Sequence, residues 1–385
     1  MTTAAPPAAL PRPAAVVPEE PFELLPPDAV VAVAMSGGVD SSVAAARCAA
    51  HGVRTIGITL AMWPRDGERD RDRGCCSIDA VEDARRVATA IGIPHYSWNL
   101  EPEFQRDVVT LFTDEYAAGR TPNPCVRCNQ AIKFGALLDR ARAAGATHVA
   151  TGHYARIGRR GSHASLHRAR AEGKDQAYTL HRLDQAQLLA SVFPLGAEPS
   201  KDAVRHEAGE LGLVTASKPD SQELCFIDGS IRADLERRLA GRFRPGPIVD
   251  GAGAVVGEHR GVPFYTVGQR SALGISPSRP DAAPLFVIAV DAAANTVTVG
   301  PRAALERDTV RLTDPHWIQT PPAAGDQLSV QLRAHAAPSA VTVLDCGRDS
   351  VELRCEPPVS QVAPGQAGVL YDGDEVIGGG TVIAS

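Results

Sequence analysis

The chain has 385 residues, of which 44% are hydrophobic and 22% charged, and its formal net charge is −6 at pH 7. That length predicts two or three domains, each with enough apolar residues for a packed core. No apolar run approaches the ~20 residues of a membrane-spanning helix. With no global basic charge, a nucleic-acid partner would need a local basic surface.

Residues 1–28 are rich in Ala and Pro and lack a basic start before an apolar core, so they read as a disordered tail rather than a secretory signal. The eight cysteines, Cys48, Cys75, Cys76, Cys125, Cys128, Cys225, Cys346 and Cys355, are then expected as thiols in a reducing, cytoplasmic setting.

The first informative stretch is the apolar run 29–35 followed by Ser36-Gly37-Gly38-Val39-Asp40-Ser41-Ser42 and an Ala-rich segment to Ala50. This is a strand, a tight loop and a helix start, the local arrangement that presents backbone amides to an anion. The plainer alternative is a Gly-rich turn without a ligand. No Lys-Ser/Thr pair follows the glycines, so it is not the common nucleoside-triphosphate loop. S-G-G-x-D-S instead resembles the loop of N-type ATP pyrophosphatases, which cleave ATP between the α and β phosphates.

From residue 30 to about 149, strands and helices alternate. Strands are expected at 55–60, 94–98 and 147–150, and helices at 78–91, 104–116 and 132–144. The pattern predicts an α/β fold with a parallel, doubly wound sheet and ligands beyond the carboxyl ends of its strands. A charged loop at 65–74 has no assigned role, and Cys75-Cys76 reads as structural. The loop 119–129, Gly-Arg-Thr-Pro-Asn-Pro-Cys-Val-Arg-Cys-Asn, delivers Cys125-x-x-Cys128 into a helix start, whose dipole can lower a thiol pKa. Thr151-Gly152-His153-Tyr154 follows the fourth strand. There His153 reads either as a site residue or as a satisfied core histidine.

Between Ala155 and Lys174 lie six basic residues, Arg156, Arg159, Arg160, Arg168, Arg170 and Lys174, against one acid, Glu172. They read as a solvated hairpin or as a nucleic-acid face. Further helices are expected at 183–191, 200–211 and 231–240. Cys225 lies in a polar loop, Pro219 to Ile227, and taken alone reads as core packing. Beyond Asp228, short strands with turn signals are expected at 246–251 and within 262–274. From 284 onward they suggest a small β-barrel. The domains expected are a catalytic α/β domain at 29–227, a small central domain at 228–283 and the barrel at 284–385.

Together S-G-G-V-D-S-S, G-R-T-P-N-P-x-x-x-C-N, A-T-G-H-Y, K-D-Q, L-C-F-I, Y-T-V-G-Q-R and G-Q-A-G-V-L-Y resemble the bacterial tRNA-specific 2-thiouridylase family over nearly everything after residue 28. The resemblance implies sulfur transfer to wobble uridine 34 of tRNA. ATP with Mg²⁺ would adenylate O2 of the uracil, and a persulfide would then replace that oxygen. By motif match, Cys225 carries the persulfide and Cys128 is the nucleophile. Ala34, Met35, Ser36, Gly37, Gly38, Val39, Asp40, Ser41, Leu60 and Gly152 match nucleotide-binding positions. Asn123, Pro124 and Cys125 match the stretch near the target base, while Lys174, Asp175, Gln176, Arg333 and Ala334 match tRNA contacts. The implied partners are the tRNAs for Lys, Glu and Gln, and a cysteine desulfurase or sulfur-relay protein.

This chain departs from the family at Cys125, where many members carry Asp as a candidate acid/base. A thiol is a weaker proton-transfer group. The change also makes Cys125, Cys128 and Cys225 three potential ligands, so a [4Fe-4S] cluster is the alternative to the persulfide–disulfide route. Zinc lacks an evident fourth ligand. Two other classes share parts of the pattern: argininosuccinate- or GMP-synthetase-like enzymes with nitrogen nucleophiles, and an RNA-binding protein with a vestigial nucleotide loop.

Overall fold

The computed structural model describes residues 14–62, 78–219, 224–227, 229–275, 283–360 and 362–383. The first layer is a five-stranded parallel sheet built from β1 (Val30–Ala34), β2 (Arg54–Ala61), β3 (His95–Asn99), β4 (His148–Ala150) and β7 (Ser191–Val192), in the order β3-β2-β1-β4-β7. β1 is central. Val31 stands opposite Thr55 on one side and His148 on the other, and Val31, Ala32 and Val33 are fully buried, as a strand covered on both faces requires. The first helix, α1 (Val39–Ala50), buries Val43, Ala44, Ala45 and Cys48. Its small side chains let it lie close to the sheet. α2 (Ile78–Ala90) crosses between β2 and β3.

Two long helices differ from the expected α-helical period. Glu101–Phe104, Gln105–Thr110 and Leu111–Ala117 run on as one helix whose middle is π-helical, and Pro124–Cys128, Asn129–Ala136 and Leu137–Ala143 do the same. Cys125 and Cys128 therefore lie within the first turn of a helix, with Pro124 at its start, where a missing amide hydrogen costs nothing.

The segment 155–174 is a hairpin, β5 (Ala155–Arg160) and β6 (His163–Arg168). It does not stand in solvent. β6 pairs with β17 (Glu375–Val382) at the far end of the chain. The central sheet comprises β8 (Gly246–Val249), β9 (Val255–His259), β10 (Phe286–Asp291) and β11 (Thr296–Gly300), in the order β10-β11-β8-β9. β10 and β11, expected as part of the barrel, thus belong to the central unit. Within 262–274, Val262–Phe264 is a 3₁₀ turn rather than a strand. β12 (Arg307–Trp317), β13 (Gln327–Gln331), β14 (Ser339–Cys346), β15 (Ser350–Val359), β16 (Ala367–Asp372) and β17 form the C-terminal unit, which the β12–β17 pairing closes into a six-stranded barrel. Its interior is Val310, Leu312, Val330, Val341, Val343, Leu353 and Ile377.

Part of the expected disordered tail is ordered. Val16 exchanges hydrogen bonds with Arg159 across a β-bridge, and the buried Phe22 ring stacks on His51 at 4.6 Å. The apolar Phe22 has a pocket to fill, which the Ala/Pro bias concealed. The charged loop 65–74 and Cys75-Cys76 lie outside the described residues.

The catalytic sheet and the barrel are tied by Tyr178, a buried side chain whose hydroxyl donates to the Ala367 carbonyl at 2.9 Å. Tyr178→Phe leaves that acceptor unpaired in an apolar setting. It should lower unfolding stability by about 1–3 kcal/mol, read as a shifted urea midpoint with an unchanged slope.

Candidate active site

The loop after β1 is held by its own hydroxyls. Ser36 donates its backbone N–H to Ser41 Oγ at 3.1 Å, and the Ser41 and Ser42 hydroxyls donate to the Gly38 carbonyl at 3.1 and 2.8 Å. Met35 is pinned to β2 by its N–H on Ile58 O and by Thr59 Oγ1 on its carbonyl, both at 2.8 Å. Gly37 adopts φ +70°, and a Cβ there would stand 2.1 Å from the Ala80 carbonyl of α2, so backbone approach and handedness both require glycine. Gly38 caps α1 with no side-chain bond to the helix amides. The amides of the first turn have no intrahelical acceptor and face the loop's concavity, an anion site.

Beside this loop, Asp40 accepts from Tyr154 Oη at 2.9 Å and from Lys201 Nζ at 3.1 Å. Lys218 Nζ donates to the Gly37 carbonyl at 3.0 Å and to Asp83 at 2.6 Å. Gly152, after β4, packs directly on the loop: a Cβ at that position would be 2.8 Å from both the Asp40 carbonyl carbon and the Ser41 nitrogen. The structure therefore brings 34–41 and Gly152 together, with Leu60 buried at the carboxyl end of β2. Sequence reading missed Lys201 and Lys218, which lie 135 or more residues from their partners and carry no local motif. Tyr154 belonged to a recognised motif but had no role.

The cysteine-bearing helix starts at Asn123, whose Oδ1 accepts from the Cys125 amide at 3.1 Å. Cys128 is buried and Cys125 half-buried. Asn129 anchors the next turn by donating to the Thr179 carbonyl and hydroxyl at 3.1 and 3.0 Å. The turn 124–128 packs against Gln105–Thr110. Phe226, the residue after Cys225, places its ring 6.0 Å from Phe104 and 5.0 Å from Phe112, flanking that same segment. Cys225 and Cys128 thus share one apolar cluster, although 97 positions separate them in the sequence. Asp220 to Glu223, just before Cys225, lie outside the described residues. Other thiols are unsuited to nucleophilic work. Burial pushes Cys48 up to about 12 and Cys355 up to about 11, and it also raises Cys346.

His153 is buried, and its imidazole is held neutral by burial and, secondarily, by the Lys133 charge. Its Nδ1 lies 2.6 Å from Thr151 Oγ1 and its Nε2 3.4 Å from Lys133 Nζ.

Most of the basic segment turns inward. Arg156 pairs with Asp374, Arg160 with Glu375 at 2.7 Å, Arg168 with Asp175 at 3.3 Å and Arg170 with Glu19 at 2.7 Å. Arg156 and Arg160 dock the hairpin on the barrel, Arg168 does so through Gln331, and Arg170 reaches the ordered part of the N-terminal segment, so the hairpin is packed rather than solvated. Asp175 and Gln176 are structural as well. Asp175 accepts from the Ala169 and Ala177 amides at 2.9 and 3.2 Å, and Gln176 accepts from the Tyr154 amide at 3.0 Å. Lys174 and Arg333 are exposed, and Ala334 is half-buried. One relay links the two sets. Arg168 bonds both Asp175 and Gln331, and Gln331 Nε2 donates to the Arg333 carbonyl at 3.1 Å.

Gly152→Ala should displace the loop by roughly an ångström, a misplacement of the scale that costs on the order of 100-fold in turnover. We expect a large fall in ATP-dependent activity with an almost unchanged melting temperature, checked by steady-state kinetics beside thermal denaturation.

Three family models match in succession: a tRNA methyl transferase HUP domain at residues 29–229, a tRNA methyl transferase PRC-barrel domain at 234–301 and an aminomethyltransferase beta-barrel domain at 307–382. The chain is 48% identical over 364 residues to the tRNA-specific 2-thiouridylase MnmA of Nocardioides sp., covering 92% of this chain and 98% of that one. It is 46% identical over 362 residues to the same enzyme of Heliobacterium modesticaldum, covering 92% of each. For that of Streptomyces avermitilis the figures are 47% over 356 residues, 91% of this chain and 94% of that one. A solved 4-thiouridine synthetase–RNA complex with bound ATP matches at 17% identity, covering 56% of this chain and 51% of that one with a TM-score of 0.33, too distant to carry an argument. By identity and coverage across all three units, the chain belongs to the tRNA-specific 2-thiouridylase family.

Proposed function

We propose that this protein uses ATP to convert the 2-oxygen of wobble uridine 34 in tRNA to sulfur, with a cytoplasmic setting and the Lys, Glu and Gln tRNAs as substrates. The observation that carries the reading is the shared packing of the Cys128 and Cys225 segments on one helix, within the cluster that also holds Leu60 from the nucleotide-side strand.

The chemistry runs in two stages. The uracil O2 attacks the α-phosphorus of ATP. The O2–P bond forms as the bond to the β-phosphate oxygen breaks, pyrophosphate takes the electron pair and the N3 proton passes to water. The amides of α1 and the loop hold the phosphates. A Mg²⁺ accompanying ATP would neutralise phosphate charge. Adenylation turns a poor leaving group into AMP. The outer sulfur of a Cys225 persulfide, loaded by a cysteine desulfurase or relay protein, then attacks C2 and AMP departs. Cys128 thiolate attacks the Cys225 sulfur, which frees the 2-thio base and leaves a Cys128–Cys225 disulfide for an external thiol to reduce. Cys128 lies about one turn into the helix that starts at Pro124. The base must leave its stack to reach the loop 123–125, and this reading assigns phosphate contacts to Lys174 and Arg333, both exposed.

An iron–sulfur cluster fits less well. Among the described residues no group of three His, Cys, Asp or Glu side chains stands close enough to hold a metal ion, so no step is routed through one. Nor does any described helix have the length and apolarity to cross a membrane.

The two stages separate by substitution. Cys225→Ser should release pyrophosphate in the presence of tRNA yet make no 2-thiouridine. Cys128→Ser, supplied with persulfide, should stall with tRNA linked to Cys225 through a reducible bond, seen as a shifted band in a non-reducing gel. Full thiolation by Cys225→Ser would refute these roles, and loss of pyrophosphate release from both variants would point to a different nucleophile chemistry.

A further inference from the structure

Of three lysines on the nucleotide loop or on the segments that pack against it, two are already neutralised: Lys201 pairs with Asp40 at 3.1 Å and Lys218 with Asp83 at 2.6 Å. The third, Lys133, is half-buried, and among the described residues no carboxylate is ion-paired with it. Its Nζ is directed instead at His153 Nε2, 3.4 Å away. An ammonium can only donate, so Nε2 is the acceptor and the ring hydrogen sits on Nδ1, which donates to Thr151 Oγ1 at 2.6 Å. His153 is flanked by Phe134 and Phe193, each with ring centroids 6.0 Å away. The imidazole is thus fixed on both nitrogens and both flanks. It aims the lysine without cancelling its charge.

The position of Lys133 follows from the helix. The segment Asn129–Ala136 is π-helical, with bonds from i to i+5. Lys133 therefore falls about one turn beyond Cys128, near the same face. On its other side, His153 directly follows Gly152, which packs on Asp40 and Ser41 at the head of α1. Lys133 is thus joined to the segment that holds the phosphates through His153 and Gly152, and to the one that carries the nucleophile through its own helix. A cation kept there without a counter-charge is suited to an anion arriving with substrate.

We propose that Lys133 binds the α-phosphate of ATP as the uracil oxygen attacks it and stays on that phosphate in the adenylated base until AMP leaves, with His153 as its positioning residue. This rests on the adenylation reading above and adds to it the group that carries the charge of the transferred phosphate. Such a contact strengthens as negative charge shifts onto the non-bridging oxygens, so it acts on turnover more than on ATP binding.

The test compares wild type, Lys133→Gln and Lys133→Arg in tRNA-dependent pyrophosphate release and in 2-thiouridine formation, with melting temperature and tRNA affinity measured on each. Lys133→Gln should lose about 100-fold in kcat for pyrophosphate release, with KM for ATP changed less than about threefold, while it melts and binds tRNA as wild type does. Lys133→Arg keeps the charge and should recover at least about a tenth of wild-type turnover. A Lys133→Gln enzyme within threefold of wild type overturns the proposal, as does a Lys133→Arg enzyme no better than Lys133→Gln. A wild-type enzyme that releases no pyrophosphate with tRNA would instead overturn the adenylation reading, and this assignment with it.

Discussion

The geometry of the site depends on how the backbone of Thr121 is held. Its N–H donates to the Pro364 carbonyl at 2.8 Å, its carbonyl accepts from Gln366 Nε2 at 2.6 Å, and its hydroxyl donates to Thr266 Oγ1 at 3.0 Å. Pro364 and Gln366 belong to the barrel and Thr266 to the central unit. The loop that presents Asn123, Cys125 and Cys128 is therefore suspended between the other two parts of the molecule. Gly365 makes the approach feasible, since a Cβ there would lie 2.8 Å from the Thr121 nitrogen. Each neutral bond contributes only about 1 kcal/mol net. Three bonds on one residue nevertheless define its position in three directions, which a solvent-exposed loop with two prolines could not do alone.

The distribution of charge follows from the same architecture. A chain with a net charge of −6 handles a polyanion by keeping a few cations out of ion pairs rather than by being basic overall. The arginines of the 155–170 hairpin hold it to the barrel through Asp374, Glu375 and Gln331. Lys201 and Lys218 brace the nucleotide loop, while Lys133 has no paired carboxylate among the described residues. Hydrogen bonds from Asp175 and Gln176 order the turn that leaves Lys174 at the surface.

What the sequence disclosed was local. The loop 36–42 combines a short-range turn, a cap and a helix start, so its residues suffice to define it, and the parallel sheet follows from alternating elements. The loop 119–129 likewise reads as delivering Cys125 and Cys128 into a helix, although the helix starts earlier, at Pro124, behind an Asn123 cap that the sequence reading missed. What stayed hidden was non-local or of an unusual period. A π-helical stretch does not register as a 3.6-residue repeat, so the helix through Lys133 read as starting later than it does. β12, which carries Asp314 and Pro315 within eleven residues, gave no strand signal, because its stability comes from pairing with both β15 and β17. The hairpin β5–β6 read as solvated or as a nucleic-acid face because Arg156 and Arg160 find their acids only near residue 374 and Arg170 finds its acid at Glu19. The pairing of Cys128 and Cys225 segments was implied by family resemblance and had no signature in the chain itself.

The account turns on those two cysteines meeting during a turnover. The most direct measurement loads the enzyme with persulfide sulfur, allows one turnover with ATP and substrate tRNA, quenches in acid without reductant and maps the disulfide-linked peptides by mass spectrometry. The account predicts a peptide containing Cys128 joined to one containing Cys225, in an amount equal to the 2-thiouridine formed. If 2-thiouridine accumulates while these two thiols stay unlinked, or if the link falls on Cys125 instead of Cys128, the account is wrong at its centre.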